Sequence, residues 1–111
     1  MCGICGFIDI NNDTDQTPII HEMNDALTHR GPDGSGVWCK KDIGLYLGHR
    51  RLSILDLSNN ASQPFTSNSG RFTMTYNGEI YNFNDLKNII DVDLKSSSDT
   101  EILIEAIEKI G

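Results

Sequence analysis

Apolar residues recur along this chain with two periods, and the switches between them lay out the elements. Over residues 3–10 the period is two: Ile4, Gly6, Ile8 and Ile10 fall on one face, with Cys5, Phe7 and Asp9 on the other. Apolar side chains on both faces predict a central strand covered on both sides. The polar run 11–16 predicts a loop. From Thr17 the period lengthens: Ile19, Ile20, Met23, Ala26 and Leu27 form one helical stripe. Thr17 is its expected cap, Pro18 sits in its first turn, and the helix should stop before Gly31-Pro32. Strand spacing returns over 36–40 and 43–52, around a turn near Lys41-Asp42, and again over 71–76. Residues 58–63 read as a polar loop and 67–70 as a turn. The dipeptide Asn77-Gly78 is a strong hairpin-turn signal in its own right. A short helix is expected over 84–90. Ser98-Asp99-Thr100-Glu101 then has capping-box spacing, ahead of a stripe made by Ile102, Leu103, Ala106, Ile107 and Ile110.

The resulting order is strand, helix, several strands, helix, helix. Strands that follow one another in hairpin-like succession predict a largely antiparallel sheet with helices against it, an α+β domain. At 111 residues there is room for one domain with a modest core. The last amphipathic helix runs to the final residue, so its stripe needs more sheet or a partner to cover it. Self-association, a homodimer included, is one way to supply that cover.

Charge narrows the partners. The formal net charge is −7, and the nine Lys and Arg are scattered, with only His49-Arg50-Arg51 locally basic. No basic patch is available to offset phosphate repulsion, so nucleic acid is not expected as a partner. No apolar run is long enough to span a membrane and no signal-peptide pattern opens the chain, which predicts a cytoplasmic protein. Cys2, Cys5 and Cys39 are an odd count, which speaks against a disulfide framework. The Cys2-Gly3-Ile4-Cys5 spacing admits a thiol pair or half a zinc site. However, no second ligand pair follows, and in a strand residues three apart point to opposite faces. No metal site is expected.

Cys2 carries a sharper possibility. Removal of Met1 would leave a thiol and a free α-amine on one residue. An α-amine with a pKa of about 7.7–8.0 is partly unprotonated near neutral pH. It can take the thiol proton directly or through a water, so the nucleophile carries its own base. The plainer reading is a small buried strand residue.

Four segments bear on that choice: Cys2-Gly3-Ile4, HRGPDGSG at 29–36, GHRRLSILD at 48–56 and YNGEIYN at 76–82, with SSSDTE at 96–101 fitting as well. Together and in this order they resemble the glutaminase domain of class II glutamine amidotransferases, most closely the branch of glutamine-hydrolysing asparagine synthetases. The resemblance implies an N-terminal nucleophile hydrolase fold, an α-β-β-α sandwich with antiparallel sheets. It also implies that residues 1–111 are the first part of such a domain, incomplete at the C-terminus, with the ATP-using synthetase domain absent.

Residue by residue, the resemblance makes Cys2 the nucleophile at the glutamine side-chain carbonyl, with its α-amine as base and then acid for the leaving ammonia. Asn77, through its side-chain amide, and Gly78, through its N–H, would form the oxyanion hole. Arg51 would hold the substrate carboxylate, and Leu52, Ser53, Ile54 and Leu55 would line the pocket, partly through backbone groups. Glu79 would bind near the substrate amide and Asp99 would accept its ammonium. Arg30 would order the site without reacting. The three histidines receive no catalytic role. The implied function is hydrolysis of glutamine to glutamate and ammonia, passed to a synthetase domain or subunit with an acceptor such as aspartate. No cofactor is implied in this domain; ATP and magnesium belong to the synthetase domain. Three alternatives stand beside this one: a truncated, non-catalytic glutamine-binding remnant, a glutaminase serving a sugar-modifying amidotransferase, and a thiol or zinc module built on Cys2 and Cys5.

Overall fold

A computed structural model describes residues 2–52, 62–94 and 98–111. Strand β1 (Gly3–Ile8) pairs with β3 (Leu45–Arg51), which pairs in turn with β2 (Gly34–Lys40), giving an antiparallel sheet of order β1-β3-β2. The register sets Gly3 opposite Arg50 and Gly34 opposite Arg51. The central strand is therefore β3. Among the described residues β1 is an edge strand with one covered face, not the doubly covered strand expected from its composition. It also stops two residues early, because Asn12 donates its N–H to Asp9 Oδ1 at 3.2 Å and turns the chain with φ +48°. Ile10 consequently stands 91% exposed.

Helix α1 (Thr17–Ala26) covers the face of Cys5, Phe7, Tyr46 and Gly48. Ile20 and Tyr46 are fully buried there, and the Phe7 and Tyr46 rings stack at 4.8 Å. Buried Asn24 knits helix to sheet, donating from Nδ2 to Ser35 Oγ at 2.9 Å and to the Gly36 carbonyl at 3.3 Å. Only glycine fits at position 48, since a Cβ would lie 2.7 Å from Cys5 Sγ and 3.0 Å from Asn24 Oδ1. The cap differs from expectation: Thr17 is the first helical residue, and Gln16 before it makes no side-chain cap bond. Asp15 does that work, accepting from the Thr17 N–H at 3.0 Å and the Thr17 hydroxyl at 2.5 Å. Those bonds, with the Lys41 ammonium at 3.0 Å, hold the Asp15 carboxyl down to about 2. A 3-10 turn (Lys41–Ile43) and Gly44 at φ +69° join β2 to β3.

The second half is built differently. Strands β4 (Phe65–Thr66) and β5 (Thr73–Met74) form a two-stranded antiparallel hairpin around a turn closed by the Gly70 N–H on the Ser67 carbonyl, 2.9 Å. The expected six-residue strand over 71–76 thus pairs over two residues only. Thr75 and Tyr76 instead bond to groups of the first sheet and to the Gln63 side chain. Helices α2 (Phe83–Ile90) and α3 (Asp99–Ile110) pack through Ile90, Ile102 and Ala106, with Leu86 and Leu94 against them. Ser98 caps α3, its hydroxyl accepting from the Thr100 N–H at 3.1 Å. Ile104 is buried although it lies outside the expected stripe, while Ile107 and Ile110 at the far end are exposed. Buried Glu105 is satisfied by the Asn68 N–H at 2.7 Å. The architecture is α+β with antiparallel sheets. No described helix is long and apolar enough to cross a membrane.

Candidate active site

The site gathers where the start of β1, the end of β3 and the segment after β5 meet. Cys2, half-buried and unpaired, precedes β1. The Leu52 backbone N–H, just past β3, points at its sulfur at 3.4 Å, and the thiol faces the Leu52 carbonyl oxygen at 4.0 Å. The Cys2 carbonyl accepts two further donors, Asn77 Nδ2 at 3.0 Å and Arg30 Nε at 3.3 Å. The backbone of the nucleophile candidate is thus gripped from two sides by residues 28 and 75 positions away. An open cleft of about 180 Å³ lies beside it, lined by Gly3, Ile4, Leu27, Arg30 and Asn77.

Local sequence explains the grip. After α1 the chain continues in tight turns, with the Arg30 N–H on the Leu27 carbonyl at 3.0 Å. Gly31 then lets the loop touch β3 backbone to backbone; a Cβ there would lie 2.5 Å from the Arg51 nitrogen. Arg50 Nε donates to the Gly31 carbonyl at 2.9 Å, and the Asp33 N–H to the Arg51 carbonyl at 2.9 Å. Arg51 ends β3 one residue before the N–H that faces Cys2.

The second contributing segment runs through Tyr76-Asn77-Gly78-Glu79. It is not a hairpin: no strand follows it among the described residues. Tyr76 folds back so that a Cβ on Gly78 would lie 2.7 Å from its phenol oxygen. Gly78 and Glu79 are exposed. Asp99, at the start of α3, accepts from the Ile80 N–H at 3.2 Å. Burial and then the charges of Asp99 and Glu79 raise the Tyr76 pKa, which places both carboxylates in the electrostatic neighbourhood of this loop. A cation would be welcome there.

The structure therefore brings Cys2, Arg30, Leu52 and Asn77 into direct contact, with Gly78, Glu79 and Asp99 along the adjoining loop and Arg51 at the strand end. Ser53, Ile54 and Leu55 lie outside the described residues. Cys5 is placed elsewhere, its sulfur 3.8 Å from Asn24 Oδ1 under α1, and burial raises its pKa. Among the described residues no group of three or more His, Cys, Asp or Glu could hold a metal ion. Sequence reasoning passed over His49 and Gln63, two side chains that hold the Tyr76 backbone. Their signal was faint: a histidine inside an alternating strand and a glutamine in a polar loop.

Comparison with known proteins gives the family of the chain. The glutamine amidotransferase domain family matches residues 1–111. The chain belongs to that family. Among curated relatives of this amidotransferase chain, asparagine synthetase [glutamine-hydrolyzing] 2 of Bacillus subtilis is 36% identical over 115 residues, covering 100% of this chain and 15% of the relative. Asparagine synthetase [glutamine-hydrolyzing] 1 of the same organism is 34% identical over 110 residues, 91% of this chain and 17% of the relative. Amidase chry2 of Gibberella zeae is 35% identical over 125 residues, 100% of this chain and 18% of the relative. The amidotransferase chain thus spans less than a fifth of the length of each of these three.

Proposed function

We propose that this amidotransferase chain is the glutaminase part of an asparagine synthetase-like enzyme, using Cys2 to hydrolyse glutamine to glutamate and ammonia. One observation carries the reading: the Cys2 sulfur faces the Leu52 N–H while its carbonyl is held by Asn77 and Arg30. With Met1 removed, the α-amine takes the thiol proton and the thiolate attacks the side-chain carbonyl of glutamine. An amide nitrogen carries two hydrogens. One of Asn77's goes to Cys2, leaving the other, with the exposed Gly78 N–H, for the oxyanion. Collapse expels ammonia, protonated by the same amine, and water releases glutamate from the thioester.

Arg51 pairs with the substrate carboxylate through its planar fork, and Asp99 and Glu79 supply negative charge for its ammonium and amide ends. Leu52 lines the pocket through its backbone, with Ser53, Ile54 and Leu55 continuing that wall. Residues 1–111 form the N-terminal part of a glutamine amidotransferase type 2 domain of the α-β-β-α sandwich kind, working in the cytoplasm. Ammonia passes to a synthetase domain or subunit, where ATP and magnesium act and aspartate is the acceptor. The part described here needs no cofactor. The names of the Bacillus subtilis relatives support that acceptor; the name of the Gibberella relative shows that this stretch also occurs in a protein called an amidase.

The test is glutamate and ammonia release from glutamine by the full-length protein, with Met1 removal verified by intact mass. Release at steady state is the expected result. A Met1-free protein that binds glutamine and releases no glutamate would leave the remnant reading in its place.

A further inference from the structure

Tyr76 sits immediately before Asn77, and both polar groups of its backbone are engaged by side chains rather than by a strand. Its N–H donates to Gln63 Oε1 at 2.5 Å, and its carbonyl faces His49 Nε2 at 3.3 Å. His49 lies on β3, is 2% exposed and shares the sheet face of Arg51. The Gln63 backbone rests on Gly36 of β2, where no side chain could fit, and Gln63 Nε2 donates to Thr100 Oγ1 at 3.1 Å. Thr100 is buried and follows Asp99 on α3.

We propose that His49 and Gln63 are positioning residues for the glutaminase reaction. They clasp the Tyr76 backbone from both ends, setting where Asn77 stands against Cys2, and Gln63 links that setting through Thr100 to the helix start that bears Asp99. The proposal rests on the glutaminase reading given above. The mechanical argument is short. Adjacent Cα atoms are about 3.8 Å apart on a rigid peptide, so a shift of Tyr76 moves Asn77 by a comparable amount. Asn77 Nδ2 is 3.0 Å from the Cys2 carbonyl, leaving little slack before the contact is lost. Misplacement of a catalytic group by about 1 Å costs on the order of 10²-fold in rate.

The imidazole must carry a hydrogen on Nε2 to donate to a carbonyl. Burial, with the charge of Arg51 as a smaller cause, lowers the His49 pKa and favours the neutral ring. A neutral ring with Nε2–H directed at Tyr76 is a strut and does not relay protons from Cys2.

Steady-state glutamine hydrolysis by the full-length protein reads the proposal. His49→Leu and Gln63→Met are expected to lower kcat by about 10²-fold with KM changed only a few-fold. His49→Gln, which places an amide N–H where Nε2–H was, should recover to within about tenfold of wild type, since it restores the donor. Amide hydrogen exchange over residues 76–80 supplies a readout independent of turnover. It should accelerate in His49→Leu and Gln63→Met, and return toward wild type in His49→Gln. Wild-type kcat and wild-type exchange in His49→Leu and Gln63→Met would overturn the clasp, as would a His49→Gln protein no better than His49→Leu. A wild-type protein that hydrolyses no glutamine would defeat the glutaminase reading, while exchange over 76–80 would still decide whether the clasp exists.

Discussion

The Cys2 sulfur faces the Leu52 backbone, 3.4 Å from its N–H and 4.0 Å from its carbonyl oxygen. Asn77 braces the Cys2 carbonyl, and in the proposed reaction its second amide hydrogen goes to the oxyanion. Asn77→Ala should therefore lower kcat by at least about 10²–10³-fold, the usual cost of one oxyanion donor. Steady-state assays with glutamine check it; a kcat within tenfold of wild type would remove Asn77 from the oxyanion role. The resemblance selects Arg51 for the substrate carboxylate, a task suited to a planar fork, so Arg51→Lys should raise KM for glutamine by tenfold or more while kcat moves less. Unchanged KM would place the substrate carboxylate elsewhere. Cys2, Asn77 and Arg51 stood out in the sequence because each sits in a motif that resembles the family's, and the structure sets Asn77 against Cys2. His49 and Gln63 were not, because a side chain that bonds a distant backbone group leaves no periodic or local trace.

At the level of elements, hydrophobic period located β1 and all three helices to within a few residues. It misjudged β1 as central, since apolar residues on both faces of a strand do not say what covers them. It also overextended the strand at 71–76, where Gln63 and His49 capture backbone groups that a ladder would otherwise use. The α1 cap was displaced by two residues because Asp15 outcompetes Thr17 as acceptor. That cap gives a pH signature. The Asp15 carboxyl is lowered from 3.8 to about 2 in the folded state, so its contribution is present above pH 4 and is lost as pH falls from about 4 toward 2. Thermal melts of Asp15→Asn should show a lower Tm than wild type at pH 6, with the gap narrowing below pH 4. A constant gap down to pH 2 would contradict the cap.

At the scale of the whole molecule, the described residues form a sheet with α1 on one side, joined to a hairpin with two helices. Thr75 Oγ1 on the Gly48 carbonyl, His49 on Tyr76 and Asn77 on Cys2 link these parts. The links converge on the candidate site, so a ligand seated there touches both parts and resists their separation. Glutamine should accordingly stabilise a Cys2→Ala protein, by about 2.7 kcal/mol at a hundred times its Kd. A Tm that rises with glutamine and not with an amino acid lacking the side-chain amide is the expected outcome. No shift at saturating glutamine would mean that the pocket is not assembled from both parts. The long-range contacts behind this design were beyond the sequence, because they join residues as far as 75 positions apart.

The central claim is that Cys2, and no other thiol, is the nucleophile toward glutamine. An electrophilic glutamine analogue followed by peptide mass mapping of the Met1-free protein tests it most directly. Cys2 stands beside the cleft against the Leu52 N–H, whereas Cys5 lies under α1 with its pKa raised by burial and is less often a thiolate. The account predicts one modification, on Cys2, prevented by excess glutamine and accompanied by loss of glutamate release. Modification of Cys5 or Cys39 at a comparable rate, or an unmodified Cys2 in a protein that still hydrolyses glutamine, would contradict it.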